Sequence, residues 1–413
     1  MSITYTAIAL CAVGAEKTVS NEIKKLSYPV LESAYGRVRF KADLAGLYKA
    51  LMGLRAADRV LLETGNFDSA DFDSLYDGIY DIPWEDFIPI RYGIKIAKVR
   101  SNRSQLGAQT SIQSIVHKAA ADRLCEKRRI NRLPVNTNDP ELRVYIEKNK
   151  VSVLLDLSGD PLFKRGYRIR GMSAPLRETT AAAIILHSMW RRKFPLYDPF
   201  CGSGTIAIEA AMYAWDMAPC MGRNFAISHL PFGNAKTEKQ VREEFLEKVD
   251  FTRLVRICGS DSDDSALAAA KGNFNRAAGI SRGNSGAASN SETAGNSGAG
   301  GNSGEASAPN LEFLNLSMED AKPGLQGIPV GNTESPHGYI ITNPPYGRRL
   351  GTTEEAEEIY REMGRLSNNF KGWKLSVISE HSGFESFFGR KADSCREISN
   401  GAIRTYFYQY EEL

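Results

Sequence analysis

The stretch Asp198-Pro199-Phe200-Cys201-Gly202-Ser203-Gly204-Thr205 decides how the second half of this 413-residue chain is read. It follows a short apolar run, Leu196–Asp198, and precedes an apolar, Ala-rich segment, Ile206–Ala214. A strand that ends in a Gly-rich turn and opens a helix aims backbone N–H groups at a ligand. A dinucleotide fold asks for a third Gly three positions after the second. Ala207 stands there, which the Gly/Ala form of that pattern tolerates, so spacing alone leaves NAD open. Asp198 argues against a pyrophosphate, because it sets an anion at the strand end. It suits a cationic partner, such as the amino group of a methionyl cofactor. The bland alternative is a simple strand-to-helix turn.

Around this turn helix and strand alternate. Arg177–Trp190 reads as a helix, and Leu196–Asp198, Leu254–Cys258, Leu311–Leu316, Tyr339–Thr342 and Leu375–Ile378 read as strands with helices between them. The order predicts an α/β fold with a mostly parallel, doubly wound sheet over 176–413. The chain closes on a hairpin: Arg396–Ser399, the turn Asn400-Gly401, then Ala402–Tyr408. Residues 281–310 are almost all Gly, Ser, Asn and Ala; they cannot bury enough apolar surface to order themselves and read as an expanded surface loop.

Two further strand ends carry chemistry. Cys258-Gly259-Ser260-Asp261 puts an acid where the second strand of such a sheet holds ribose hydroxyls. Asp263 competes for that role, and either acid could cap the following helix. Asp320, after Leu311–Leu316, is placed to accept from an adenine amino group. The third motif, Asn343-Pro344-Pro345-Tyr346, follows Tyr339–Thr342. Two prolines fix the backbone and remove two donors, so the Pro344 carbonyl is free of a sheet ladder. With the Asn343 side-chain oxygen it makes a pair of acceptors for a planar NH₂, and Tyr346 can stack on the ring that bears it. Such an amine has its lone pair delocalised into the ring, and two acceptors help localise charge on nitrogen as it attacks a methyl group. A rigid Pro-Pro turn is the structural alternative.

Before residue 176 the pattern differs. Thr4–Leu10, Gly36–Lys41 and Arg59–Thr64 read as strands, with helices at Glu16–Leu26 and around Leu44–Leu51. That order predicts a ferredoxin-like α+β unit over 1–65. A second unit, 66–160, has a strand at Tyr92–Val99, an amphipathic helix at Ser111–Arg128, and a hairpin of Glu141–Glu147 and Lys150–Leu157. Residues 161–175 are polar and read as a linker.

The net charge of +3 selects no partner, but its distribution is uneven. Eleven Lys or Arg stand between Arg91 and Arg132 against Asp122 and Glu126 alone, behind an acidic stretch from Asp68 to Asp86. Such a face suits a polyanion or is simply solvated; Lys118, Lys127, Arg128 and Arg129 are the candidates for phosphate contacts. Six scattered cysteines without a CxxC pair indicate neither a zinc site nor a disulfide framework. Neither a signal peptide nor a membrane-spanning run is present, which predicts a cytoplasmic protein.

The two motifs at sheet-strand ends resemble class I methyltransferases that act on amino nitrogens. Lys164-Arg165-Gly166-Tyr167-Arg168, Ala174-Pro175-Leu176-Arg177-Glu178 and Phe387-Phe388-Gly389-Arg390-Lys391-Ala392-Asp393 followed by Asn400-Gly401 are similar to bacterial THUMP-domain methyltransferases of the 23S rRNA guanine-N2 type, the RlmL-like proteins. The resemblance covers nearly the whole chain except 281–310. It implies an N-terminal ferredoxin-like unit, a THUMP RNA-binding domain and a Rossmann-like catalytic domain of seven strands. It implies S-adenosyl-L-methionine as cofactor, held by Asp198, Phe200, Gly202, Gly204, Thr205, Asp261, Asp320 and Asn343. Asn343, Pro344 and Tyr346 would hold the guanine. Ser317 and Glu319 are alternatives to Asp320, because the insertion departs from the family pattern just before it. The implied substrate is 23S rRNA or a ribosomal precursor. Guanine-N2 methylation of tRNA, adenine-N6 methylation of DNA, glutamine-N5 methylation of a protein and RNA binding without catalysis are the rival readings. A DNA enzyme needs a sequence-reading domain, and a glutamine enzyme leaves the basic N-terminal half without a use.

Overall fold

In strand β1 (Tyr5–Cys11) the alternating residues Ala7 and Ala9 are fully buried against helices, while Ile8 points to the opposite face. Then follow α1 (Glu16–Lys25), β2 (Val30–Ala34), β3 (Arg37–Ala42), α2 (Leu44–Gly53) and β4 (Ala57–Asp68). The sequence pattern misses β2, whose middle residues are exposed and which carries no apolar alternation; it pairs antiparallel with β3. With β2 in place the order is that of a ferredoxin-like split β-α-β unit. The computed structural model describes residues 3–168, 176–281, 311–325, 327–330, 337–345 and 353–413.

Strand β4 is twelve residues long and serves two units at once. Its first part pairs with β1, and Leu61–Asp68 pairs with β7 (Lys150–Asp156). Beyond β7 lie β6 (Glu141–Glu147) and β5 (Lys95–Asn102). One continuous seven-stranded sheet, β2-β3-β1-β4-β7-β6-β5, therefore runs through the N-terminal half. Helices α3 (Phe72–Tyr80) and α4 (Gln109–Arg128) pack on one another beside it. Asp71, part of the acidic stretch, caps α3 by accepting the Ser74 N–H at 2.8 Å. Asp122 and Glu126 of α4 accept the hydroxyls of Tyr76 and Tyr80.

The second half contains α5 (Glu178–His187), β8 (Leu196–Asp198), α6 (Thr205–Ala214), α7 (Ala235–Leu246), β9 (Ile257–Asp261), α8 (Asp264–Ser281) and β10 (Leu311–Asn315). It continues with β11 (Tyr339–Thr342), α9 (Thr353–Met363), α10 (Leu366–Asn369), β12 (Lys374–Ser379), α11 (Phe384–Phe388), β13 (Ser394–Asn400) and β14 (Ile403–Tyr410). The sheet order is β10-β9-β8-β11-β12-β14-β13, parallel through β12 and closed by the antiparallel β13–β14 hairpin. Helix α5 is shorter than its apolar pattern suggests: after Ser188, Met189 turns left-handed, with φ 56°.

The described part of the supposed linker contributes three residues to the core, Leu162, Arg165 and Tyr167. Arg165 is 2% and Tyr167 1% exposed. Arg165 pairs with Glu209 of α6 at 3.3 Å and donates to the carbonyls of Leu162 and Arg55. The Tyr167 hydroxyl donates to the same Glu209 carboxylate at 3.2 Å. Phe225, Ile227, Val241 and Phe245 of the second half belong to the same apolar cluster as α1 and α2. The halves are thus joined by shared packing. Removing one partner of a buried ion pair of this kind costs about 3–5 kcal/mol.

Candidate active site

Strand β8 has β9 on one side and β11 on the other, so connections leave its carboxyl end in opposite directions and a crevice opens there. Asp198, at that end, is 1% exposed. Its Oδ1 accepts the Thr342 hydroxyl at 2.7 Å and the Phe200 N–H at 3.2 Å. Burial pushes its carboxyl up to about 7 despite those hydrogen bonds, with the nearby Asp261 charge adding to the rise. The bond from Thr342 ties the first motif to the third, since Asn343 is the next residue.

The Gly-rich turn requires its glycines. Gly202 and Gly204 have φ of 50° and 82°, in the left-handed region. A Cβ on Gly204 would lie 2.9 Å from the Phe313 ring and 3.0 Å from Ala270, whereas one on Gly202 would meet nothing within 4 Å. The Gly202 N–H donates to Asp261 Oδ2 at 2.9 Å, and Asp261 Oδ1 accepts the Asp263 N–H at 3.1 Å. Asp263 itself accepts the N–H and hydroxyl of Ser265, so it caps α8. Two residues outside the motif brace the turn: Asn273 donates to the Ser203 carbonyl at 3.0 Å, and Arg168 to the Thr205 hydroxyl at 2.7 Å. The hydroxyl of Thr205 is therefore engaged with the protein.

After β11, Asn343 and Pro345 are half-buried and Pro344 is buried. The Pro345 carbonyl accepts the Tyr360 hydroxyl of α9 at 3.2 Å, and Ser379 at the end of β12 lies 3.2 Å from the same hydroxyl. Tyr346 lies outside the described residues. Asp320 is exposed, accepts the Ser317 hydroxyl at 3.0 Å, and is not hydrogen-bonded to the Gly-rich turn, Asp261 or Asn343 among the described residues. The structure therefore brings Asp198, Phe200, Gly202, Gly204, Asp261 and Asn343 together and leaves Asp320 outside that network.

The residues fit a cationic, adenosine-bearing cofactor. Among the described residues the hydrogen bonds to Asp198 fall on Oδ1, which leaves Oδ2 for a ligand cation. The open space over Gly202 lets a ligand approach backbone, and each Asp261 oxygen keeps a lone pair for a diol.

The chain matches the RMKL-like methyltransferase domain over 165–283 and 322–409, the RlmL ferredoxin-like domain over 6–61 and the THUMP domain over 69–156. It is 31% identical over 98% of its length to YpsC of Bacillus subtilis, a protein named as an RNA methyltransferase, of which it covers 96%. The chain belongs to the RMKL-like methyltransferase family. It is also 29% identical over 96% of its length to the ribosomal RNA large subunit methyltransferase K/L of Syntrophotalea carbinolica, of which it spans only 52%. Among solved structures SMU.472, described as a methyltransferase complexed with SAH, is 30% identical with a TM-score of 0.82, covering 100% of this chain and 99% of that one.

Within this family member, the basic residues of the N-terminal half divide by use. Lys118, Lys127 and Arg129 are exposed, with the Lys118 ammonium 5.8 Å from the Tyr76 ring centroid. Arg128 corrects the reading from sequence. Its guanidinium donates to the carbonyls of Tyr92, Ile88 and Pro89 at 2.8, 3.0 and 3.1 Å, so it pins a loop and is not presented to phosphate. Thr342, Asn273, Arg168 and Tyr360 are the supporting residues that sequence reasoning missed. Arg168 stands in a stretch singled out from the sequence, but its bond to Thr205 had no local signal. Among the described residues, no helix is long and apolar enough to cross a membrane.

Proposed function

We propose that the protein transfers a methyl group from S-adenosyl-L-methionine to the exocyclic N2 of a guanine in large-subunit ribosomal RNA. The observation that carries this reading is the 2.7 Å bond from Thr342 to Asp198, because Asn343 and Pro344, the assigned acceptors, follow directly on Thr342. The names of YpsC and the K/L methyltransferase support RNA as the substrate, and the SAH complex of SMU.472 supports the cofactor. S-adenosyl-L-methionine would supply an electrophilic methyl carbon on a sulfonium centre, whose S–C bond breaks as the N–C bond forms, leaving S-adenosyl-L-homocysteine as the neutral thioether. Asp198, Phe200, Gly202, Gly204 and Asp261 would bind it; Thr205 and Arg168 hold the turn, and Asp320, exposed and bonded to Ser317, is assigned to the adenine.

Asn343 Oδ1 and the Pro344 carbonyl accept the two N–H groups of the guanine amine. They orient its lone pair toward the methyl carbon and hold the positive charge that develops on nitrogen until one proton leaves to water. Tyr346 is assigned to stack on the base. A paired guanine must be flipped out of its helix to reach these groups.

Asn343→Ala removes one acceptor without touching the Gly-rich turn. Cofactor affinity by calorimetry should stay near wild type, while single-turnover methylation should fall roughly 10²–10³-fold, about 3–4 kcal/mol. Methyl transfer at the normal rate would sink the assignment of an amino nitrogen as the target.

A further inference from the structure

The N-terminal sheet is covered on one face. Ala7, Phe40, Leu62 and Val153 point toward α1–α4 and join the large core. Their neighbours point the other way, where Ile8, Leu61 and Leu154 form a small separate cluster with Leu10 and Tyr145 packed on it and no helical residue. This second face is charged. In one row across the strands stand Lys98, Arg143, Leu154 and Glu63; in the next, Arg100, Tyr145, Ser152 and Asn66. Arg39 pairs with Glu63, Arg59 and Arg143 reach the carboxylate of Asp156 at 2.5 and 3.5 Å, and Arg143 also lies 3.8 Å from the Glu141 carboxylate. Lys98 and Arg100 are exposed and have no acidic partner among the described residues.

We infer that RNA lies across this bare face, its phosphates on Lys98, Arg100 and Arg143, and runs past Arg59 toward the catalytic half. The inference rests on the proposed RNA substrate and adds where that RNA is held. Cations outnumber acids here. Burial and the charges of Arg100 and Arg143 hold the Lys98 ammonium below its ordinary value, so the cluster gains when a polyanion arrives. Tyr145, beside Arg100, offers a ring on which an unpaired base can stack. At the Arg59–Asp156 end the face opens into a groove of about 930 Å³, whose far wall is Asn224–Ala226 and His229 of the second half. Helix α4 offers less than its sequence suggests. Arg123 is bound to Glu85 and Arg128 to three carbonyls, and Asp122 and Glu126 sit among the remaining cations.

The test is binding of the full-length protein to unmodified, in vitro-transcribed 23S rRNA, followed by fluorescence anisotropy over a salt series. Lys98→Ala/Arg100→Ala should weaken binding about tenfold or more and flatten the logarithmic salt slope by about 0.7–0.9 for each phosphate no longer neutralised. Lys98→Arg should bind as wild type does, and Lys127→Ala/Arg129→Ala should change affinity less than about twofold. Unchanged melting temperature and cofactor affinity would show that both double variants fold. An unchanged slope in the Lys98/Arg100 variant, or a loss confined to the α4 variant, would overturn the assignment. Binding is read without methyl transfer, so a protein that holds RNA through Lys98 and Arg100 but methylates none supports this face and overturns only the proposed reaction.

Discussion

Asp198 shows how much one buried side chain can dictate. A carboxyl raised from 3.8 to about 7 stays protonated in the ligand-free fold where the unfolded chain would already be ionised. The fold therefore loses stability as pH rises through that interval. A cationic ligand group favours the ionised form, so below about pH 7 its binding must expel a proton. Cofactor affinity should climb by up to about tenfold per pH unit toward 7 and level off above it. Calorimetric titrations in buffers of different ionisation enthalpy measure both effects; a flat pH profile without proton release would mean that Asp198 does not face the cation. This residue was legible in the sequence because its signal is local: an acid at a strand end, then glycines with forced backbone angles. Thr342 and Asn273 were not, because each acts on a partner far away in the chain.

At the scale of elements, the acceptor loop depends on a helix that the sequence does not link to it. Tyr360 of α9 is fully buried and ties the Pro345 carbonyl to Ser379, with its ring edge-on to Phe384 at 5.0 Å. Tyr360→Phe keeps the packing and removes the tie, a loss of about 1 kcal/mol. If the tie positions the loop, kcat should fall about fivefold with cofactor affinity unchanged, and Tyr360→Ala should lose more. A lower melting temperature with unchanged kcat would make the bond merely structural. The short strands β8 and β11 were read at their observed bounds, since every residue in them is buried and the motif that follows each marks its end. Strand β2 was not, because an exposed edge strand carries no such run.

Across the whole molecule, the two halves share a core through Arg165, Tyr167 and Glu209, and a polar-looking segment proved to be its fastener. Hydropathy cannot find such a segment, because an arginine whose donors all meet internal acceptors is buried at no loss of hydrogen bonds. The central claim, methyl transfer to a guanine amine of ribosomal RNA, is tested most directly by nucleoside mass spectrometry. Ribosomal RNA, transfer RNA and DNA from cells lacking the gene would be compared with those from the parent, and the extracted rRNA then incubated with purified protein and S-adenosyl-L-methionine. N2-methylguanosine should be depleted in large-subunit rRNA alone and restored by the wild-type protein but not by the Asn343→Ala variant. An unchanged rRNA with a lost methyl group in transfer RNA, or at N6 of adenine in DNA, would contradict that claim.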